Sequence, residues 1–333
     1  LYPLLQKMHQ DHPPPRTIHF RCFVDDLVLR IVDTTAQKAC NEFVDCFHEI
    51  LTELQRKHLT HSATKTVIRA RDSALACQAA KRITAKGTAV KANSPVTDLG
   101  TPVSSGNKRI ATQANKRLAA AKGRTARAKY MTRINRRATI LAKTGITPAI
   151  TWGGPAFGTP PSLARRQRHM LASASAAPGA HACSLATVAI RLGPKYEPWT
   201  RAVVEQITWF LYTWVTASSV MRKRIRALWT QRARPLFEAG PKDRWNAVKG
   251  PISATIAYLW DIGWCPHQPD WWLDTSVVPW TMDHIPSGHG EFKCSPMIQA
   301  VSASALASIE ASIHSDPAYC LESGVQWRQA TLR

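Results

Sequence analysis

The chain has 333 residues, 44% of them hydrophobic, enough to bury a sizeable core in two or three domains, and this excludes a disordered tail. Lys and Arg outnumber Asp and Glu by 44 to 22, giving a formal net charge of +22. Such a surface attracts polyanions, nucleic acid before an acidic membrane surface.

Leu1 opens the chain, no signal-peptide pattern follows, and the first interpretable element already reads as a core strand, as expected of a fragment whose beginning is missing. In "RCFVDDLVLR", the runs His19 to Phe23 and Leu27 to Val32 are strand-like and flank two adjacent carboxylates, Asp25 and Asp26. Paired acids repel each other and lose hydration when their neighbours are buried. Two readings fit: an ordinary turn rich in Asp, or a hairpin tip that presents two acids to a divalent cation.

Next comes "TTAQKACNEFVDCFHEILTELQRKH", where Ala36, Cys40, Phe43, Val44, Phe47, Ile50, Leu51 and Leu54 recur at helical spacing. Thr34 and Gln37 have capping-box spacing, and Arg56, Lys57 and His58 suit the negative end of the helix dipole. Thr66 to Ile68 reads as a short strand, followed by a stretch of small and basic residues, then strand-like Val90 and Val96 to Leu99. This order predicts an α+β arrangement, an antiparallel sheet with a helix packed on one face.

From Leu99 to Tyr196 the sequence has no Asp or Glu and 17 Lys or Arg. The Ala-, Arg- and Lys-rich part of this stretch predicts helices, interrupted at Gly123 and stopped by Gly145 and Pro148. Cations with no internal acids to pair with need an external anion. The residues expected to meet phosphates are Lys108, Arg109, Lys116, Arg117, Arg124, Arg127, Arg133, Arg136 and Arg137.

Eleven of the twelve tryptophans lie from Trp199 onward, together with a second basic run, "MRKRIRALWTQRAR". This part is predicted to be a separate, mainly helical region with its Trp residues in the core. Its apolar window around Trp209 to Met221 is too short to span a bilayer, so no membrane anchor is expected. The eight cysteines are scattered without a CxxC pair, as expected of free thiols in a reducing compartment. Cys265, His267, His284, His289 and Cys294 raise the question of zinc, but the cysteine pair that should precede His289 and Cys294 is missing. No set of four carboxylates suggestive of an RNase H domain follows residue 200.

The order of the pieces resembles the reverse transcriptase of non-LTR, LINE-like retrotransposons over about residues 1 to 170. "FVDD" looks like the family's aromatic-x-Asp-Asp palm motif, and "LTHSATKTVI" resembles the following motif with its held Lys. "VTDLG" resembles the hairpin that grips the primer, and "KTGITPAITWG" is similar to the stretch that ends the thumb helices. The resemblance implies a C-terminal part of a palm over 1–102, a basic helical thumb over 103–180 and a Trp-rich, mainly helical region of unassigned role over 181–333.

It also implies RNA-directed DNA polymerase activity on an RNA template, a DNA primer and dNTPs, at an intracellular, nuclear location, with Mg²⁺ or Mn²⁺ held by Asp25 and Asp26. In that reading Lys65 protonates or stabilises pyrophosphate, Leu99 and Gly100 grip the primer, and Phe23 sits near the nucleotide and primer end. Phe23 replaces the more common Tyr. The family's third carboxylate and Gly-rich nucleotide segment do not precede "LYPLLQKMHQDHPPP", so the chain by itself is expected not to extend a primer. The alternative is a basic nucleic-acid-binding protein without catalysis, or a decayed element.

Overall fold

The computed structural model describes residues 17–23, 26–63, 65–70, 72–92, 95–98, 101–104, 111–175, 183–282 and 295–314. The chain divides into two compact units, the first from residues 1–98 and 103–107, the second from 99–102 and 108–333.

In the first unit, β1 (Thr17–Phe23) and β2 (Asp26–Val32) form an antiparallel hairpin with register Thr17↔Val32 through Phe23↔Asp26. Along β2, the half-buried Leu27, Leu29 and Ile31 alternate with the exposed Val28, Arg30 and Val32, the two-residue period of a strand with one face covered. The cover is α1 (Ala36–Arg56), whose Cys46 and Ile50 pack on Leu27, Leu29 and Ile31.

The helix begins one residue later than the capping-box spacing suggests. Thr34 is engaged by Asp33, to whose Oδ1 it donates both N–H and hydroxyl, so Thr35 is left to accept from the Lys38 N–H at 3.3 Å. The other buried stripe of α1, Cys40 and Val44, packs on β3 (Val67–Ile68) and α2 (Ser73–Ala85) through Ile68, Ala79, Ala80 and Ile83. Burial raises the Cys46 thiol to about 12, with Glu42, Glu49 and Asp45 adding to the shift.

Here the structure corrects the expected single antiparallel sheet. β3 pairs in parallel with β4 (Lys91–Ala92), because α2 carries the chain back between them. The small, basic stretch is therefore a helix, capped by Asp72, whose carboxylate accepts from the Ala74 N–H at 3.0 Å. β5 (Pro95–Asp98) and β6 (Thr101–Ser104) make a separate two-stranded ribbon. The fold class is mixed α and β, as expected, with the β structure in small pieces.

In the second unit, α3 (Thr112–Ile134) runs unbroken through Gly123. A short 3₁₀ turn at Arg136–Thr139 and a π-helical turn at Ala142–Ile146 follow, and Pro148 opens α4 (Thr147–Thr151) instead of stopping a helix. α5 (Gly154–Phe157) and α6 (Pro161–Ala174) come next. Leu118, Ala121 and Ala128 of α3 join Ile146, Ile150 and Leu171 in one core cluster, with Val188 and Leu192 from α7 (Ser184–Arg191) and the turn after it.

The remaining elements are α8 (Pro198–Thr216), α9 (Ser219–Glu238), α10 (Gly240–Ala247), α11 (Pro251–Asp261), strands β7 (Cys265–Gln268), β8 (Trp271–Leu273) and β9 (Pro279–Thr281), and α12 (Pro296–His314). The strands form an antiparallel sheet ordered β7-β8-β9. Trp199, Trp214, Trp229, Trp245, Trp264 and Trp272 are buried in its core, as the sequence predicts. Ala164 of α6 belongs to the same core, and residues 108–180 share one compact unit with 181–333.

The chain between α5 and α6 is clamped. Tyr258 Oη accepts from the Thr159 N–H at 2.6 Å and donates to the Thr159 carbonyl at 3.0 Å. Gly158 has φ +70°, and a Cβ there would come within 2.7 Å of the Trp245 ring and 2.8 Å of Ala254. Gly158→Ala should therefore cost about 2–4 kcal/mol, from overpacking plus left-handed strain. Tyr258→Phe should cost about 1–3 kcal/mol by orphaning a buried N–H. Urea unfolding followed by tryptophan emission measures both, and losses under 0.5 kcal/mol would refute the clamp.

Candidate nucleic-acid interface

The geometry of α3 follows from its composition. Residues that bury are small or apolar and fall at alternating three- and four-residue steps: Leu118, Ala121, Thr125, Ala128 and Thr132. The two threonines satisfy their hydroxyls within the helix, Thr125 on the Ala121 carbonyl at 2.9 Å and Thr132 on the Ala128 carbonyl at 2.8 Å. With that stripe turned inward, the charged residues must face out. Lys116, Lys122, Arg124, Arg127 and Arg133 are exposed on the helix, and Arg136 and Arg137 on the 3₁₀ turn beyond it. Asn135 orders that turn, its Oδ1 accepting from the Arg137 N–H at 2.9 Å.

None of these cations makes an ion pair with a described acid. The first acid that follows them in sequence, Glu197, is already committed. Its carboxylate is buried, pairs with Arg168 at 2.7 Å and accepts from the Thr200 N–H at 2.7 Å, capping α8. The exposed arginines and lysines of α3 therefore present a positive surface with no internal compensation among the described residues.

Arg117 departs from the expected set. It is half-buried, its guanidinium donates to the Trp152 carbonyl in the turn after α4, and burial lowers its pKa from the ordinary arginine value. It ties α3 to that turn. Lys122 joins the exposed surface although the sequence reading passed over it; the signal available was its place outside the buried three-four stripe. Lys108 and Arg109 lie outside the described residues.

The residues expected at a palm site are only partly described. The β1–β2 register closes at Phe23↔Asp26, which makes Phe23 the last residue of β1 and Asp26 the first of β2. Asp25, Leu99 and Gly100 lie outside the described residues. Lys65 sits in the turn before β3, its N–H donating to the Ser62 carbonyl at 3.1 Å, with its side chain exposed. The side chain of Asp26 lies outside the described residues.

For the zinc question, Cys265 Sγ lies 3.4 Å from His267 Nε2, and the His267 ring packs on Trp271 at 4.7 Å. His284, His289 and Cys294 lie outside the described residues. Among the described residues no group of three or more His, Cys, Asp or Glu side chains could hold a metal ion, and no helix is long and apolar enough to cross a membrane.

Arg117→Met should destabilise the protein by about 1–2 kcal/mol, because it removes a charged donor from a backbone carbonyl, whereas Arg133→Met should change stability by less than about 0.5 kcal/mol. Chemical denaturation of the two variants checks this, and equal effects would contradict the distinction between the two arginines. In comparison with known protein families, curated proteins and solved structures, the chain finds no match.

Proposed function

We propose that this chain binds nucleic acid through its phosphates on the exposed face of α3 and the 3₁₀ turn that follows it. The observation that carries the reading is the exposure of Lys116, Lys122, Arg124, Arg127, Arg133, Arg136 and Arg137 on a surface that no described acid neutralises. Contacts of this kind release counterions, so affinity falls steeply with salt and varies little with sequence. Replacing Arg133, Arg136 and Arg137 together by Gln should flatten the slope of log affinity against log salt by about 2–3, roughly one per lost phosphate contact. Fluorescence anisotropy with a labelled RNA–DNA hybrid across a salt series tests it. A slope unchanged by the triple substitution overturns the assignment of this surface.

A finer reading is favoured by the hairpin. β1 and β2 carry the aromatic-x-Asp-Asp stretch at their connection, with α1 packed on the strand that follows, an arrangement consistent with part of a reverse transcriptase palm. In that reading the bound polymer is a template–primer duplex. The carboxylate oxygens of Asp25 and Asp26 are hard donors of the kind that Mg²⁺ or Mn²⁺ prefers. Such a cation lowers the pKa of an attacking hydroxyl and neutralises a departing pyrophosphate. Lys65, exposed before β3, is free to reach an anionic leaving group.

Metal binding separates this reading from phosphate binding alone. Mn²⁺ titration followed by electron paramagnetic resonance should show a bound fraction that Asp25→Asn abolishes while affinity for the hybrid stays within about twofold, because the substitution removes a metal-binding charge and no phosphate contact. Identical Mn²⁺ uptake by the two proteins would return the two acids to an ordinary turn.

A further inference from the structure

The outermost face of α3 is not uniformly cationic. Tyr130 is 66% exposed and Ile134 68% exposed, and they lie one turn apart on the side of the helix away from its buried stripe. Arg127 stands three residues before Tyr130 and Arg133 three residues after it, both exposed. Beside this row, Ala128, Met131, Leu141 and Ile146 floor a shallow groove of about 230 Å³, with Arg124 and Arg127 at its edge. Met131 and Leu141 are themselves exposed. A helix that had only to attract phosphates would gain nothing from leaving a phenol ring, an isoleucine and a methionine in water.

A double-stranded helix can meet the cations of this surface but leaves its ring and apolar groove unmatched, since its bases are stacked and its outer wall is phosphate and sugar. A single strand offers both halves of the match, base faces for the ring and the apolar groove, and phosphates for the flanking guanidinium groups. An anionic membrane fits less well. An interfacial helix segregates its apolar residues onto one face, whereas the continuous apolar stripe of α3 is already buried in the core and Tyr130 and Ile134 are surrounded by cations.

We propose that the distal end of α3 is a single-strand platform, on which a nucleobase stacks on Tyr130 while Arg127 and Arg133 hold the phosphates on either side and the adjoining groove receives a neighbouring base. The proposal rests on the nucleic-acid reading above and adds to it the form of the polymer: an unpaired stretch of RNA or DNA. No covalent step is involved. Sequence preference is weak, because every base has a face to stack.

The experiment compares a labelled twelve-residue oligo(dT) and oligo(rU) with a hairpin duplex, using the full chain, Tyr130→Ala and Tyr130→Phe in anisotropy titrations at a fixed salt concentration. Tyr130 is exposed, so neither substitution removes core contacts. Tyr130→Ala should weaken single-strand binding roughly tenfold, the loss of one base–aromatic stack, while duplex binding changes by less than about twofold and Tyr130→Phe retains single-strand binding. An unchanged single-strand affinity in Tyr130→Ala, or equal losses on single strand and duplex, overturns the platform while leaving phosphate binding intact. Absence of binding to any of the probes overturns both. Displacement of the oligonucleotide by polyglutamate or by phosphatidylserine vesicles at the same charge concentration as by unlabelled strand overturns the assignment of the occupant.

Discussion

The chemistry of the second unit depends on how little side chain α3 places in its interior. Its buried stripe is mostly Ala and Thr, which lets α3 and α6 approach closely and fixes the rotation of the helix without any buried charge. Small residues contribute little burial energy of their own, so Ile146, Ile150, Leu171, Val188 and Leu192 supply most of the apolar area in that cluster. The rotation they enforce leaves the cations no choice of direction. Their mutual repulsion is a standing cost of the folded state, relieved by counterions or by a polyanion, so ligand binding and folding stability are linked in this unit.

The helical segment and the tryptophan core are joined by contacts that do not tolerate displacement. Arg168 of α6 reaches Glu197 at the start of α8, and Arg168 retains 16% exposure of its side chain against 1% for Glu197. Removing the arginine would leave a buried carboxylate with only its helix-capping bond, a costly arrangement. Further along, Trp245 closes over Gly158 and donates from its indole to Asp261 at 2.7 Å. Burial raises the Asp261 pKa, opposed by that indole bond and by Arg244. The basic surface thus stands on a rigid support, and rigidity is what lets a handful of exposed arginines act as a fixed field instead of a set of independent tails.

Much of this was legible in the residues, and the rest failed for identifiable reasons. α1 announced itself because its apolar residues are large and regularly spaced, and the hairpin because Leu27, Leu29 and Ile31 alternate. α2 was missed because alanine carries almost no periodic signal: Ala76, Ala79 and Ala80 are buried, yet look the same as the exposed alanines beside them. That miss also hid the parallel pairing of β3 with β4. At Gly123 a propensity penalty of about 1 kcal/mol was outweighed by the packing of the helix on either side. Arg117 was grouped with the phosphate-facing residues because type and spacing do not distinguish an arginine that faces a backbone carbonyl from one that faces solvent. The acid pair shows the opposite limit. Its chemistry was suggested by the sequence, and the backbone register supplies only the strand ends around it.

The tryptophans in and around the C-terminal sheet have an optical consequence. Trp229 stacks on Trp272 at 6.4 Å, Trp272 meets Trp264 at 6.3 Å, and Trp264 stacks on Trp280 at 6.0 Å. At such separations an excited indole hands its energy to a neighbour well before it emits, and the step between Trp272 and Trp264 turns the ring plane by 66°. Light absorbed by one ring leaves from another, and the polarisation of the emission is scrambled although no side chain has turned. Low tryptophan anisotropy from this protein would therefore report electronic hopping along a stationary row of rings, and reading it as segmental motion would assign looseness to one of the most tightly packed parts of the chain.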